Sequence, residues 1–201
     1  MNKKNFPTYW TNGVLEELSD LLIEILKARD PYAETHARGV SRYSSILASS
    51  IEMKEYEIEI LNIAASLHDI GKINMPDFVL NKAGQLTQSE RDTMKQHPRF
   101  GYQLLLPLRM SPRIVEAIYY HHESFDGTGY PDGLEGKKIP LYARIIKIAD
   151  YFDALINSRY YRAKVVYSPI EALDIIKSNA REFDPDLLTA FIQMQSHKEG
   201  E

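Results

Sequence analysis

Apolar residues recur along this chain at the spacing of an α-helix, and this periodicity is the feature that most constrains the fold. Near the N-terminus, Val14, Leu18, Leu21 and Ile25 follow one another at intervals of three or four residues, which places them on one face of a helix. A later apolar segment, Leu141–Ile156, has the same helical character. No segment alternates apolar and polar residues for long enough to indicate a strand, so the pattern predicts an all-α fold.

Local sequence signals predict where several helices begin. Thr87 with Glu90, and Ser168 with Glu171, have the spacing of a capping box, in which each side chain satisfies a backbone N–H of the first turn. Asp30 and Asp184 each precede a proline, as an N-cap residue precedes a proline in the first turn. These signals predict helices that start near residues 31, 87, 169 and 185.

Two segments without a helical period are predicted to be loops. The first is 71–86, which contains a proline and a glycine, and Gly71 at its start is predicted to be the C-cap of the preceding helix. The second is 123–138, which is rich in glycine. The whole chain is predicted to comprise an N-terminal linker or dimerisation helix (1–28), one helical domain (29–195) and a polar tail (196–201).

Composition excludes several classes of function. The 201 residues include no cysteine, which excludes disulfides, thiolate catalysis and zinc–thiolate sites. The net charge is −4 and the basic residues are dispersed, so no duplex nucleic acid is expected as a partner. No apolar run has the length of a membrane span, and no signal peptide is apparent. The expected location is therefore the cytoplasm.

Histidine and aspartate occur together at the predicted helix ends. His68-Asp69 and His121-His122 are adjacent pairs, and His36 and His97 also lie near helix ends or helix-breaking residues. Asp150 lies within a largely apolar helix, where an unpaired carboxylate is costly unless a metal or another cation accompanies it. Each of these residues alone is more often an ordinary surface or core residue, so the argument depends on their combination.

The sequence around these residues resembles the HD-GYP family, a branch of the HD-domain metal-dependent phosphohydrolases. Four motifs carry the resemblance, in order: HDIGK at 68–72, HP-x-x-G at 97–101, HHE-x-x-DG-x-GYP at 121–131, and Asp150 followed by Ser-Arg-x-x-Arg at 158–162. The resemblance extends over roughly residues 28–190. It implies a helical bundle with a dinuclear metal site in its core.

The resemblance also implies a metal-ligand set, which consists of His36, His68, Asp69, His97, His121, His122 and Asp150. Asp69 would bridge two divalent ions, together with a bridging water or hydroxide, and would be catalytic. Iron is the expected metal and manganese the alternative. Some family members bind a third metal through a glutamate at the position of Tyr32, and its absence here predicts two metals. Glu34 cannot replace that glutamate, because on a helix it points away from His36.

Substrate contacts are implied for a second set of residues. Lys72 would contact the scissile phosphate and act in catalysis, and Arg159 and Arg162 would hold substrate phosphates, for which the arginine fork is suited. Tyr160, Ile156 and Asn157 depart from the family pattern near these arginines. The glycine-rich loop would line the site through its motif residues, which are Asp126, Gly127, Gly129, Tyr130 and Pro131. Tyr130 would contact either the substrate or a protein partner.

The function implied by the resemblance is hydrolysis of cyclic di-GMP to pGpG, and onward to GMP, in bacterial second-messenger signalling. Two alternatives remain open, which are a phosphohydrolase for another cyclic dinucleotide or nucleotide, and a receptor that binds without turnover. The partners implied are a receiver or sensor domain or a GGDEF-type signalling protein. The apolar stripe on the first helix also allows a homodimer.

Overall fold

The structure is a computed structural model that describes residues 12–157 and 165–197. Ten α-helices lie in these residues, and their bounds are α1 Asn12–Lys27, α2 Ala33–Ser50, α3 Glu55–Leu67, α4 Asp77–Leu80, α5 Gln88–Met94, α6 His97–Leu105, α7 Pro112–Tyr120, α8 Leu141–Ile156, α9 Pro169–Ser178 and α10 Pro185–His197. Short 3-10 helices are Ile70–Asn74, Leu106–Leu108, Gly136–Lys138 and Ala180–Glu182. No helix within the described ranges combines the length and the apolar character needed to cross a membrane.

The predicted all-α fold is confirmed, and the local signals for helix starts account for several boundaries. Thr87 and Ser168 each form the complete capping box at the start of α5 and α9. Asp184 caps α10, because its Oδ1 accepts the backbone N–H groups of Asp186 and Leu187 at 3.0 and 3.4 Å. Asp30 accepts the N–H of Tyr32 at 3.2 Å, but α2 begins at Ala33, two residues later than predicted.

The prediction of an uninterrupted loop at 71–86 is wrong. The 3-10 helix Ile70–Asn74 and the short helix α4 occupy its first half. Gly71 is also not a C-cap, since it lies inside that 3-10 helix. A Cβ atom at Gly71 would lie 1.9 Å from the carbonyl oxygen of His97 and 2.4 Å from the N atom of Gly101. The glycine is therefore required by the close approach of this segment to α6.

Helix α8 lies at the centre of the hydrophobic core and carries a row of buried apolar side chains. Ile145, Ile148 and Phe152 are all almost fully buried. Helix α2 packs extensively against both α3 and α8. This arrangement brings the start of α2, the end of α3 and the middle of α8 together at one end of the core.

Candidate metal centre

The seven residues predicted to bind metal lie together where five segments of the bundle meet. His36 is on α2, His68 and Asp69 follow α3, His97 begins α6, His121 and His122 follow α7, and Asp150 is on α8. Within residues 12–157 and 165–197, two groups of potential ligand atoms are close enough to hold a metal ion, with all atoms of each group within 4.8 Å of one another. The first group is Asp69, His97, His121 and His122, and the second is His36, His68 and Asp69.

Asp69 belongs to both groups because its two oxygens face different histidines. Its Oδ1 lies 3.2 Å from Nε2 of His97. Its Oδ2 lies 3.5 Å from Nε2 of His68 and 3.7 Å from Nε2 of His36. Asp150 adds a second carboxylate on the side of the second group, with Oδ1 3.0 Å from Nε2 of His36 and 3.8 Å from Nε2 of His68. Asp69 is therefore placed between the two groups.

Three of the histidines are oriented by backbone carbonyl groups three residues earlier in the chain. The Nδ1–H groups of His68, His97 and His121 donate to the carbonyl oxygens of Ala65, Met94 and Ile118 at 2.7, 2.8 and 2.7 Å. A carbonyl oxygen can only accept, so in each neutral ring the proton is on Nδ1. The unprotonated Nε2 atoms, which are the potential metal ligands, consequently face the centre of the cluster.

His36 is oriented instead by Asp153, a residue that the sequence analysis missed. Nδ1 of His36 donates to Oδ2 of Asp153 at 2.7 Å, and the Asp153 side chain is fully buried. Nδ2 of Asn157 donates to the other oxygen of Asp153 at 2.8 Å. A Cβ atom at Gly39 would lie 1.9 Å from Oδ1 of Asp153, so a glycine is needed there. The position of Asp153 one helical turn after Asp150 was a signal that could have revealed it.

The electrostatics of the cluster favour ionised carboxylates, neutral rings at His121 and His122, and a protonated ring at His36. Burial, reinforced by neighbouring histidines, lowers the pKa values of His121 and His122 well below the usual range. Burial opposes ionisation of Asp69, but the Lys72 ammonium and His68 hold the pKa of that carboxyl well below its usual value. Burial also opposes the charging of His36, yet its hydrogen bonds to Asp150 and Asp153 raise its pKa to about 9.

The donor set of this cluster fits divalent metal ions. Nε2 of His68 is buried and has no hydrogen-bond partner among the residues that the structure describes. The Nε2 atoms of His97 and His121 lie 3.2 Å apart, and with both Nδ1 protons directed to carbonyl groups, two lone pairs face each other. Buried nitrogens in this state need a cation to satisfy them. Imidazoles combined with carboxylates are ligands for iron, manganese and zinc.

Tyr32 stands at the position where some family members carry the glutamate for a third metal. Tyr32 stacks on the ring of His36, with centroids 5.5 Å apart and an interplanar angle of 21°. Glu34 turns away from His36 and forms ion pairs with Lys27 and Arg38 at 2.5 and 3.0 Å. Neither residue is among the two groups of potential ligands found in the described residues, and the expectation of two metals stays a prediction.

Two of the predicted substrate residues lie beside the cluster. The ammonium of Lys72 is almost buried and paired with Asp69. Tyr130 stacks on His122 with centroids 4.8 Å apart and an interplanar angle of 29°, and burial raises the pKa of its hydroxyl. Arg159 and Arg162, together with Tyr160, lie outside the described residues.

The glycine-rich loop is held by hydrogen bonds at its start. Oδ1 of Asp126 accepts the N–H and the hydroxyl of Thr128 at 3.1 and 2.6 Å. Lys147 is another residue that the sequence analysis missed. Its ammonium donates to Oγ of Ser124 at 2.9 Å and to the carbonyl oxygen of His122 at 3.4 Å. Gly127 has a φ of +79°, which a glycine adopts at little cost. Pro131 and Gly129 flank Tyr130 and complete the predicted motif.

Comparisons with known proteins identify the family. Residues 20–187 match the HD domain family. The cyclic di-GMP phosphodiesterase response regulator RpfG of Xanthomonas campestris pv. campestris is 38% identical over 94% of this chain and 51% of its own length. The 3′3′-cGAMP-specific phosphodiesterase 3 of Vibrio cholerae is 36% identical over 83% of this chain and 36% of its own length.

A solved structure shows the same fold. The HDG"Y"P protein Bd1817 of Bdellovibrio bacteriovorus superposes with a TM-score of 0.70 and 19% identity, over 94% of this chain and 62% of that one.

The chain spans about half or less of the length of the curated relatives it matches, at 51%, 40% and 31%. With its HDIGK and HHE-x-x-DG-x-GYP motifs, the chain belongs to the HD domain family, in its HD-GYP branch.

Proposed function

We propose that this protein is a metal-dependent phosphodiesterase that hydrolyses cyclic di-GMP to pGpG, and further to GMP. The observation that carries the proposal is Asp69, whose two oxygens face two separate groups of histidines. Such a carboxylate could serve as a ligand shared by two divalent ions, which would assist phosphoryl transfer. The relatives named as cyclic di-GMP phosphodiesterases support the choice of substrate.

The proposed metal ligands are the seven residues of the cluster. His97, His121, His122 and Asp69 would hold one ion, and His36, His68, Asp150 and Asp69 the other. Iron is the first candidate and manganese the second. Bound divalent ions would supply positive charge that polarises a phosphoryl oxygen and lowers the pKa of a water molecule.

The side chains of this protein would bind and orient the substrate. Lys72 lies beside Asp69, where its ammonium can hold a phosphate oxygen as charge builds up during the reaction. Arg159 and Arg162 would hold phosphates through bidentate hydrogen bonds, and Tyr130 would form a wall of the site. In the reaction, the oxygen of water bonds to phosphorus, the bond from phosphorus to the ribose 3′ oxygen breaks, and that oxygen takes up a proton.

The test is turnover by protein purified without oxygen and loaded with ferrous or manganous ions. Asp69→Ala should lose metal and activity together, because both ion positions lose a ligand. Arg162→Ala should keep its metal content and bind the substrate more weakly. Absence of turnover of any cyclic dinucleotide, with bound metal demonstrated by elemental analysis, would contradict the proposal. Equal loss of metal in both variants would contradict the division of roles.

A second candidate substrate is a mixed cyclic dinucleotide. The relatives from Vibrio cholerae that are named as 3′3′-cGAMP-specific phosphodiesterases match this chain at 32–36% identity, within the range of the cyclic di-GMP enzymes. Competition between cyclic di-GMP, 3′3′-cGAMP and cyclic di-AMP in one assay separates these substrates. Binding without turnover would indicate a receptor.

We further propose that residues 1–28 act as a linker or dimerisation helix, and we favour the dimer. Leu15, Ile23 and Leu26 of α1 are buried against the core, whereas Val14, Leu21 and Ile25 leave 43%, 58% and 44% of their surface exposed. This exposed stripe would pair with the same stripe of a second copy. Leu21→Glu should yield a monomer by light scattering, and a wild-type monomer at high concentration would exclude the dimer.

The proposed signalling role carries two further expectations. A receiver, sensor or GGDEF-type protein would regulate the enzyme, as the response-regulator name of one relative suggests for that relative. Because the proposed substrate is a bacterial second messenger, the proposed location is the cytoplasm. Copurification of tagged protein from a bacterial lysate, followed by fractionation, tests both.

A further inference from the structure

Glu123 is a buried carboxylate that makes three hydrogen bonds to consecutive backbone amides. It follows His122 directly, and its exposed fraction is only 2%. Oε1 accepts the N–H groups of Asp132 and Gly133 at 2.7 and 3.1 Å, and Oε2 accepts that of Leu134 at 3.1 Å. Burying a carboxylate is costly, and charge-assisted bonds of this kind offset the cost. The carboxylate thus ties the far end of the glycine-rich loop to its beginning.

A second set of contacts fixes the middle of the same loop. The N–H of Tyr130 donates to the carbonyl oxygen of His122 at 3.3 Å. A Cβ atom at Gly129 would lie 2.2 Å from the N atom of Ser124 and 2.5 Å from Cα of Glu123. The backbone before Tyr130 is therefore pressed against the start of the loop, and the backbone after it is held by Glu123.

Together, these contacts fix the position of Tyr130. Its ring lies flat against His122 at the candidate metal centre, and the ammonium of Lys95, at the end of α5, lies 5.3 Å from the ring centroid. We propose that Glu123 is a positioning residue that holds Tyr130 as a wall of the substrate site for a cyclic dinucleotide. This inference rests on the proposed function. In this proposal Glu123, which is in neither group of potential metal ligands, acts through the loop and not by binding the substrate or a metal ion.

Hydrogen–deuterium exchange tests whether Glu123 holds the loop. Glu123→Gln keeps the size of the side chain but removes one acceptor, so an N–H of 132–134 loses its partner. Amides of 126–134 should exchange about tenfold faster than in the wild type. A tenfold change corresponds to a loss of about 1.4 kcal/mol in the free energy of local opening. Glu135→Gln, an exposed carboxylate of the same loop, is the matched control. Equal exchange in wild type and Glu123→Gln would overturn the proposal.

A double-mutant cycle tests whether Glu123 acts through Tyr130. In the metal-loaded enzyme, Glu123→Gln should raise KM about tenfold, with kcat and metal content nearly unchanged, because the substrate wall is displaced. In a Tyr130→Ala background the same change should raise KM less than about twofold, since the wall is already absent. A merely structural role would give the same loss in both backgrounds, and that additive result would overturn the proposal.

Two further results complete the test. If Glu123→Gln does not fold, Gly129→Ala provides a second route, because its Cβ would displace the loop while Glu123 stays intact; it should raise KM and loop exchange in the same way. If the wild type turns over no cyclic dinucleotide, the proposed function fails. The exchange measurement then still decides whether Glu123 anchors the loop.

Discussion

At the scale of single residues, the orientation of His36 depends on Asp153, which is 117 positions away in the sequence. Asp153→Asn leaves a single acceptor oxygen to serve both His36 and Asn157, so one of these donors loses its partner. Because such outer partners orient metal-binding histidines, metal affinity should fall by roughly 10- to 100-fold. Competition with a chelator measures this affinity, and a melting curve of the metal-free protein checks the fold.

Matched variants separate orientation from general damage at this position. Gly39→Ala leaves Asp153 unchanged, but its Cβ would lie 1.9 Å from Oδ1 of Asp153, so it should lower metal affinity as well. Asp174→Asn, which removes an exposed carboxylate on α9, should retain wild-type affinity. Wild-type affinity in both Asp153→Asn and Gly39→Ala would show that the orientation of His36 by Asp153 has no bearing on metal binding.

The sequence located the clustered residues better than the residues that support them. The candidate ligands lie in short motifs, such as His68-Asp69 and His121-His122, that can be recognised in isolation. Asp153 and Glu123 have roles only through contacts that the fold creates, one with a distant histidine and one with a row of backbone amides. Local spacing places Asp153 one helical turn after Asp150, but it does not reveal the bond to His36, and no spacing reveals the amides that Glu123 accepts. Both residues were therefore missed.

At the scale of elements, signals confined to one turn predicted boundaries well. The capping boxes at Thr87 and Ser168 involve atoms three residues apart, so the sequence alone contains the whole interaction. The 3-10 helix Ile70–Asn74 is different, because it is short and its conformation is set by packing against α6. Gly71 was therefore assigned a local role as a C-cap, whereas its actual role is to permit a tertiary contact.

Gly71→Ala should consequently destabilise the protein. Its Cβ would meet backbone atoms of His97 and Gly101 at 1.9 and 2.4 Å, and backbone atoms cannot move aside as the end of a side chain can. Overpacking of this kind costs about 2 kcal/mol or more. Urea denaturation of the metal-free protein measures the loss in free energy of unfolding. The control is Gly13→Ala on α1, where a Cβ meets nothing within 4 Å; a similar loss in both variants would contradict the packing argument.

At the scale of the whole molecule, the candidate ligands come from five segments that are far apart in the sequence. The sequence predicted the helices but not which of them pack together, since apolar periodicity identifies a buried face without identifying its partner. The arrangement of α2, α3 and α8 around one centre became an expectation only through the family resemblance. A metal ion bound at this centre would link side chains from these separate segments of the core.

Metal binding should therefore stabilise the entire bundle. An ion that binds only the folded chain at about 100 times its Kd adds about 2.7 kcal/mol, which for a chain of this length raises Tm by roughly 5–10 °C. Thermal unfolding with manganous ions, compared with unfolding in a chelator, measures this rise. Asp69→Ala should melt at the same temperature in both conditions, because it lacks the carboxylate that faces both groups of histidines. An equal rise in wild type and Asp69→Ala would mean that the stabilising ion binds elsewhere.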